Sequence, residues 1–135
     1  MEKIRLLIVE DRDIIRDSIK LSLSKYNNIV IAGEASDGWE AVKCVNNCEY
    51  DVVLMDINMP NMNGIQASAE IKNINPHIEI LAHSFFLNPE RVFDMIDAGA
   101  KGVVKKGENF AVYEEAIRTV ANGTIYLTEE IDCKV

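Results

Sequence analysis

The chain has no long apolar run, and its first residues do not resemble a signal peptide. No apolar stretch in its 135 residues approaches the roughly 20 residues that a transmembrane helix needs. Residues 1–3 lead directly into the first apolar run, so a signal peptide is not expected. We therefore expect a cytoplasmic protein that does not associate with a membrane.

Cysteines are few and odd in number. Cys44, Cys48 and Cys133 do not provide the even set that a disulfide framework needs. Cys44 and Cys48 lie four residues apart on a predicted helix, but no further Cys or His lies near them in sequence to complete a zinc site. Reduced, structural thiols are the expectation.

Basic residues are also in the minority. The chain has 22 acidic and 14 basic residues, which gives a formal net charge of −8. Such a surface repels nucleic-acid phosphates, so this segment is a poor candidate for direct DNA contact. The length predicts one domain with a core large enough to fold without disulfide or metal cross-links.

Strand-like and helix-like segments alternate five times along the chain. The predicted strands cover residues 4–9, 29–35, 51–55, 78–83 and 102–105. The predicted helices cover residues 12–25, a segment from 37, residues 64–74, residues 89–98 and about 109–122. This alternation predicts an α/β fold, with a parallel sheet between two layers of helices. Right-handed crossovers then favour the flavodoxin-like (βα)5 sandwich with strand order 2-1-3-4-5.

Two of the predicted helices have clear start signals. Asp37 and Glu40 have capping-box spacing, and Asn88 precedes Pro89 at the first position of another helix. The expected apolar residues, helix by helix, are Ile14, Ile15, Ile19 and Leu23; Trp39, Val42 and Val45; and Val92, Phe93, Met95 and Ile96.

Polar residues stand at the carboxyl ends of four predicted strands. They are the pair Glu10-Asp11, then Asp56, Ser84 and Lys106. In a parallel α/β sheet, ligands bind at that edge. Three carboxylates, a hydroxyl and an ammonium suit a divalent cation and a phosphoryl group. Asp56 is then the candidate nucleophile, because carboxylates can form aspartyl-phosphate intermediates.

Each of these residues also has a purely structural explanation. Acids favour a helix start, an aspartate suits a turn, a lone serine usually bonds locally, and most lysines are solvated. Their joint placement at one sheet edge is what favours a phosphoryl site.

Three segments together resemble the receiver domain of bacterial two-component response regulators. They are residues 7–11, 51–64 and 98–106, and the resemblance covers nearly the whole chain. It implies that Asp56 is the phosphoacceptor, charged from the phosphohistidine of a sensor histidine kinase. It also implies that Ser84 is the switch hydroxyl, and that Lys106 rather than Lys105 is the family lysine.

The resemblance implies a metal site as well. Mg²⁺, with Mn²⁺ as the alternative, would be held by Glu10, Asp11, Asp56 and the backbone carbonyl of Asn58. The implied protein is a signalling switch rather than an enzyme, catalysing only its own phosphotransfer and slow autodephosphorylation.

Residues 98–102 and 121–127 are most similar to the NarL/FixJ (LuxR-type) group. The resemblance then implies a receiver domain over residues 1–123, and a tail or linker start over 124–135. A C-terminal helix-turn-helix domain would follow the linker and make the DNA contacts. Phosphorylation would drive homodimer formation, and the output would be transcription regulation.

Three residues depart from the family pattern. Val103 stands where the family has an aromatic switch residue, bulky Phe85 follows Ser84, and His83 replaces an apolar strand residue. We expect Phe85 to narrow access to the site and His83 to be a partly buried strand histidine.

Four alternatives stay open. A free-standing receiver, or a pseudo-receiver that only binds partners, would have the same fold. An aspartyl phosphatase typically has a second acid two residues after its nucleophile, where this chain has Asn58. A flavin carrier needs a phosphate loop after the first strand, and the acids of residues 10–13 would repel the flavin phosphate.

Overall fold

A parallel sheet lies at the centre of the structure, a computed structural model that describes residues 3–128. Its strands are β1 (Ile4–Val9), β2 (Ile29–Ala35), β3 (Val52–Asp56), β4 (Glu79–Ser84), β5 (Gly102–Lys105) and β6 (Tyr126–Leu127). They lie in the order β2-β1-β3-β4-β5-β6, and all neighbours run parallel. The predicted order 2-1-3-4-5 is confirmed, and β6 extends the sheet at its edge.

Five helices cover the two faces of the sheet. They are α1 (Asp13–Leu23), α2 (Gly38–Asn47), α3 (Gly64–Ile74), α4 (Pro89–Asp97) and α5 (Phe110–Ala121). One apolar cluster joins the sheet to α2, α3 and α4, and a second joins it to α1 and α5. Leu6 and Leu7 are both fully buried, on opposite faces, as expected for a strand covered on both sides.

The predicted helix starts form, with one difference. The Asp37 carboxylate accepts a hydrogen bond from the Glu40 N–H at 2.9 Å, but the Glu40 carboxylate accepts from Ser36 instead of Asp37. The reciprocal half of the capping box is therefore absent. At α4, the Asn88 side chain accepts from the Glu90 N–H at 2.9 Å, and Pro89 occupies the first position.

Several residues expected to make apolar contacts are exposed instead. Trp39 is 62% exposed and Phe93 is 70% exposed. In α2 the buried face is formed by Gly38, Ala41 and Val45, and Trp39 lies beside that face. Ile14 of α1 and Ile96 of α4 were also expected to make apolar contacts, and they too are exposed. These three helices, α1, α2 and α4, therefore bury narrower faces than their apolar content suggested.

The first residues of the predicted tail join the sheet. Tyr126 and Leu127 pair with Gly102 and Val103 of β5. Residues 129–135, including Cys133, lie outside the described part of the chain, whereas Cys44 and Cys48 are free thiols. No helix within residues 3–128 combines the length and apolar character that crossing a membrane requires.

Candidate functional site

Four strands end at the same edge of the sheet, and each places a polar residue there. Asp56 ends β3 and Ser84 ends β4, whereas Glu10 and Lys106 directly follow β1 and β5. The parallel register holds these ends level, since Val9 pairs with Met55 and Asp56 pairs with His83. The cleft at this edge is therefore a direct product of strand order.

Three carboxylates crowd together in the cleft. Oxygen atoms of Glu10, Asp11 and Asp56 all lie within 4.8 Å of one another. Glu10 and Asp56 are buried, at 0% and 2% exposure, whereas Asp11 is accessible to solvent. Burial raises the pKa of Asp56 from its ordinary value of 3.8 to about 7, against the lowering effect of Lys106 and with further raising by Glu10 and Asp11.

Lys106 supplies a buried ammonium to this cluster. Its Nζ lies 2.5 Å from Glu10 Oε1 and 3.2 Å from Asp56 Oδ1. Its backbone N–H donates to the Ser84 carbonyl at 2.8 Å, which fixes the start of the loop after β5. One ammonium cannot neutralise three carboxylates, so the cleft retains an excess of negative charge.

The donor set fits a divalent cation. Carboxylate oxygens are the ligands that hard cations such as Mg²⁺ prefer. A cation here would offset both the burial and the mutual repulsion that raise the pKa of Asp56. Glu10, Asp11 and Asp56 can therefore hold a metal ion, and the structure brings all three together.

Asn58 and Ser84 lie at the same edge but are engaged locally. The Asn58 N–H donates to Asp56 Oδ1 at 3.3 Å, which tethers the carboxylate to the loop after β3. The Ser84 hydroxyl donates to the Phe86 carbonyl at 3.2 Å and accepts from the Phe86 N–H at 3.3 Å. The Ser84 hydroxyl must give up its bond to the Phe86 carbonyl before it can donate to a group on Asp56.

Phe85 packs against two cations at the cleft. Its ring centroid lies 5.3 Å from Lys106 Nζ and 5.6 Å from Arg12 Cζ, within cation–π range of both. The ring is 40% exposed. The bulky residue therefore forms part of the wall of the cleft, next to the lysine.

His83 is fully buried rather than partly buried. Its Nε2 lies 3.4 Å from the Val9 carbonyl, and its ring meets Tyr113 edge-on at 6.2 Å. Burial, with a smaller effect of Lys106, lowers the pKa of His83 to about 3. The imidazole is therefore neutral at ordinary pH. Val103, where the family has an aromatic residue, is also fully buried.

Sequence reasoning missed two residues around the acid pair. The Arg12 N–H donates to Glu10 Oε2 at 3.0 Å, and the Arg16 guanidinium donates to the Glu10 carbonyl at 2.7 Å. The second contact has no sequence motif, because its acceptor is a main-chain carbonyl. Only the position of Arg16, on the helix that leaves the cleft, hinted at it.

A family model decides the assignment of this fold and site. Residues 6–118 match the model described as the response regulator receiver domain. The chain belongs to the response regulator receiver domain family. It is a receiver domain of two-component signalling, in a signalling family rather than an enzyme family, and it is related to the NarL/LuxR-type transcription regulators.

Curated relatives are longer than this chain. The response regulator GacA of Pseudomonas viridiflava is 32% identical over 95% of this chain and 60% of its own length. The transcriptional regulatory protein DegU of Brevibacillus brevis is 30% identical over 96% of this chain and 55% of its own length. The receiver domain thus spans somewhat under two thirds of the relatives it matches.

Solved structures share the fold. A LuxR-family two-component response regulator from Aurantimonas sp. SI85-9A1 superposes with a TM-score of 0.92, at 24% identity over 97% of this chain and 94% of that one. The signal receiver domain of NarL from Mycobacterium tuberculosis gives a TM-score of 0.87, at 28% identity over 91% and 99% of the two chains. The predicted family and group are both confirmed.

Proposed function

We propose that this receiver domain accepts a phosphoryl group on Asp56 from the phosphohistidine of a sensor histidine kinase, in a Mg²⁺-dependent reaction. One observation carries the proposal: three carboxylates have oxygens within 4.8 Å of one another at the carboxyl edge of the sheet, and a buried lysine pairs with two of them, Glu10 and Asp56. Burying like charges is costly, so a fold that does so needs a cation and a use for the site.

Glu10, Asp11, Asp56 and the Asn58 carbonyl would hold Mg²⁺, with Mn²⁺ as the alternative. The bound metal supplies positive charge that neutralises both the carboxylates and the transferred phosphoryl group. Asp56 then ionises readily, and one of its oxygens bonds to phosphorus as the phosphorus–nitrogen bond of the donor breaks. Lys106, already 3.2 Å from Asp56 Oδ1, neutralises charge that develops on the phosphoryl oxygens.

Ser84 would convert the new phosphoryl group into a change of shape. Its hydroxyl must give up the bond to the Phe86 carbonyl in order to donate to a phosphoryl oxygen, and this loosens the loop that leads into α4. Buried Val103 provides no aromatic ring to follow the hydroxyl. The output therefore runs through the β4–α4 loop and the surface of α4, β5 and α5, as a shift between two pre-existing states.

The response would be homodimer formation and transcription regulation. The relatives are longer than this chain, and DegU is a transcriptional regulatory protein; together these two facts support a further, DNA-binding domain in the whole protein. On this proposal residues 1–123 form the receiver domain, and 124–135 are a tail or begin a linker whose first residues, Tyr126 and Leu127, pair with β5. The receiver itself catalyses only its own phosphotransfer and slow autodephosphorylation.

Intact-mass measurement tests the phosphoacceptor. Incubation with Mg²⁺ and acetyl phosphate is expected to add one phosphoryl group to the wild type and none to Asp56→Ala. Several donors, including phosphoramidate, should be tried because Phe85 walls the cleft. An unchanged wild-type mass with every donor would instead favour the pseudo-receiver, the reading that Phe85 and Val103 support.

Dimer formation is tested separately. Beryllofluoride with Mg²⁺ mimics the phosphoryl group, and we expect it to shift the wild type from monomer to dimer in sedimentation experiments. A protein that binds beryllofluoride yet stays monomeric at high concentration would contradict self-association as the output of this segment.

A further inference from the structure

The guanidinium of Arg16 contacts three acceptors from three parts of the fold. Nη1 donates to the Glu10 carbonyl at 2.7 Å, Nε to Glu34 Oε1 at 3.1 Å and Nη2 to Asp13 Oδ1 at 2.6 Å. The side chain is only 13% exposed. These contacts connect the turn after β1, strand β2 and the start of α1, so the guanidinium has little freedom to move.

Arg16 completes the set of bonds that holds Glu10. The Glu10 N–H donates to the Ala35 carbonyl at 3.0 Å, and its carboxylate accepts from the Arg12 N–H at 3.0 Å. The residue is fully buried, so its carbonyl also needs a donor, and Arg16 provides one. Without that bond, the backbone between the two acids would lose its anchor.

This anchor bears directly on the metal site. Glu10 and Asp11 are consecutive, so one peptide unit sets where both carboxylates point. Their mutual repulsion, and that of Asp56, favours moving apart whenever the backbone allows it. A cation binds tightly only if the carboxylates are already assembled, because the protein otherwise spends binding energy on collecting them.

We infer that Arg16 is a positioning residue for the divalent-cation site, fixing the Glu10-Asp11 turn through the Glu10 carbonyl. This inference rests on the proposed Mg²⁺-dependent function. Residues that orient metal ligands from outside the coordination sphere typically change metal affinity roughly 10- to 100-fold. We therefore expect Arg16→Met to weaken Mg²⁺ binding by about 10-fold.

Lys20 provides a matched control. It lies on the same helix and its Nζ pairs with the same carboxylate, Glu34, at 2.5 Å, whereas the hydrogen bond to the Glu10 carbonyl comes from Arg16. Lys20→Met removes the same unit of charge as Arg16→Met. Loss of positive charge alone should strengthen cation binding slightly, so a weakening seen in Arg16→Met but not in Lys20→Met isolates the positioning effect.

The measurement is Mg²⁺ titration of the wild type, Arg16→Met, Arg16→Lys and Lys20→Met by isothermal calorimetry, with circular dichroism to verify folding. We expect wild-type affinity or slightly better in Lys20→Met and the weakest binding in Arg16→Met. Arg16→Lys should lie between them, because an ammonium cannot hold three acceptors in the fork geometry of a guanidinium. Its retained charge makes it the usable variant if Arg16→Met does not fold.

A second readout separates positioning from general damage. The rate of Asp56 phosphorylation should need more Mg²⁺ in the Arg16 variants but reach the wild-type maximum at saturation. Equal Mg²⁺ affinity in the wild type and every Arg16 variant that folds, or a lowered maximum rate with unchanged Mg²⁺ dependence, would overturn the inference. Absence of Mg²⁺ binding by the wild type would instead overturn the proposed function itself.

Discussion

Strand β3 has an aspartate at each end, and the two are treated in opposite ways. Asp51 lies just before the strand and accepts two hydrogen bonds from the Arg5 guanidinium, at 2.9 Å on Oδ1 and at 3.1 Å on Oδ2. These bonds lower the pKa of Asp51. Asp56, the last residue, is buried against two further acids, and its pKa rises to about 7. Partners and solvent, not residue type, decide how each carboxylate behaves.

The two ends also differ in what they do for the protein. The Arg5–Asp51 pair is partly exposed and has both charges satisfied, so it supports the fold modestly. The acids around Asp56 work against one another in the absence of a cation. The fold accepts that cost at the edge where strand order creates a ligand cleft, so the arrangement is explained by function rather than stability.

Removing the cationic side chain that pairs with the aspartate at each end of β3 should give the largest difference, measured as the rate of Asp56 phosphorylation. Lys106→Met is expected to slow phosphorylation of Asp56 by roughly 100-fold, as for other losses of a charge-stabilising donor. Arg5→Met should leave that rate within about 2-fold of the wild type, since its partner Asp51 lies at the opposite end of the strand. Quenched time courses read by intact mass measure both rates. Equal slowing in the two variants would mean that the lysine acts only through stability.

Neutralising each aspartate should change stability in opposite directions. At pH 8 without metal, Asp56→Asn should raise the free energy of unfolding by about 2 kcal/mol, because a buried, repelled charge is removed. Asp51→Asn should lower it by about 1 kcal/mol, because a well-paired but partly exposed carboxylate is lost. Urea denaturation provides both values. The comparison fails if the two variants shift stability in the same direction.

The contribution of Asp56 to stability should depend on pH with a defined sign. Its pKa in the folded state, about 7, lies above the unfolded value of 3.8, so its contribution is complete below 3.8 and is lost as the pH rises through 7. The stability gap between Asp56→Asn and the metal-free wild type should therefore widen from pH 5 to pH 8. Its slope can approach but not exceed about 1.4 kcal/mol per pH unit.

The difference in stability between Asp56→Asn and the wild type is the quantity to measure, because the titration of His83 changes stability with pH in the opposite direction. The pKa of His83 is lowered from 6.5 to about 3 in the folded protein. Its contribution to stability is therefore complete above pH 6.5 and is lost as the pH falls from 6.5 towards 3. Both proteins contain His83, and the subtraction removes its effect. A stability difference between Asp56→Asn and the wild type that stays constant from pH 5 to pH 8 would show that the pKa of Asp56 is not raised.

Metal should stabilise the protein through one end of β3 only. At a Mg²⁺ concentration ten times its dissociation constant, the wild type and Asp51→Asn should gain about 1.4 kcal/mol. Asp56→Asn should gain less, because one carboxylate ligand is lost. Thermal unfolding with and without EDTA measures these shifts. If the Mg²⁺-dependent gain in stability disappeared in Asp51→Asn but persisted in Asp56→Asn, the metal would bind at the Asp51 end of β3, which contradicts the proposal.

Much of the fold and the acid cleft could be predicted from the sequence. Alternating strand-like and helix-like segments predicted a parallel α/β sheet, and right-handed crossovers favoured its strand order. That order places Glu10, Asp56 and Lys106 at one edge. The two-residue strand Tyr126–Leu127 is too short to show a periodicity, so it was expected to be a tail. Exposure of Trp39 depends on which neighbours cover α2, and no local pattern encodes that.

Details of the site were harder to predict for a physical reason. Arg16 acts on a backbone carbonyl, and Ser84 is bonded to the backbone of Phe86, so neither contact has a residue-type signature. Contacts of Phe85 with Arg12 and Lys106 likewise depend on a loop conformation. Charged side chains at strand ends can be inferred from topology, whereas main-chain acceptors require the folded geometry.

The most direct test of the account is a crystal structure of the protein with Mg²⁺ and beryllofluoride. We predict a metal ion contacted by Glu10, Asp11 and Asp56, and beryllofluoride on an Asp56 oxygen within reach of Lys106 and Ser84. An empty cleft at saturating Mg²⁺ and beryllofluoride, or an Asp56 carboxylate turned away from its two acidic neighbours, would contradict it.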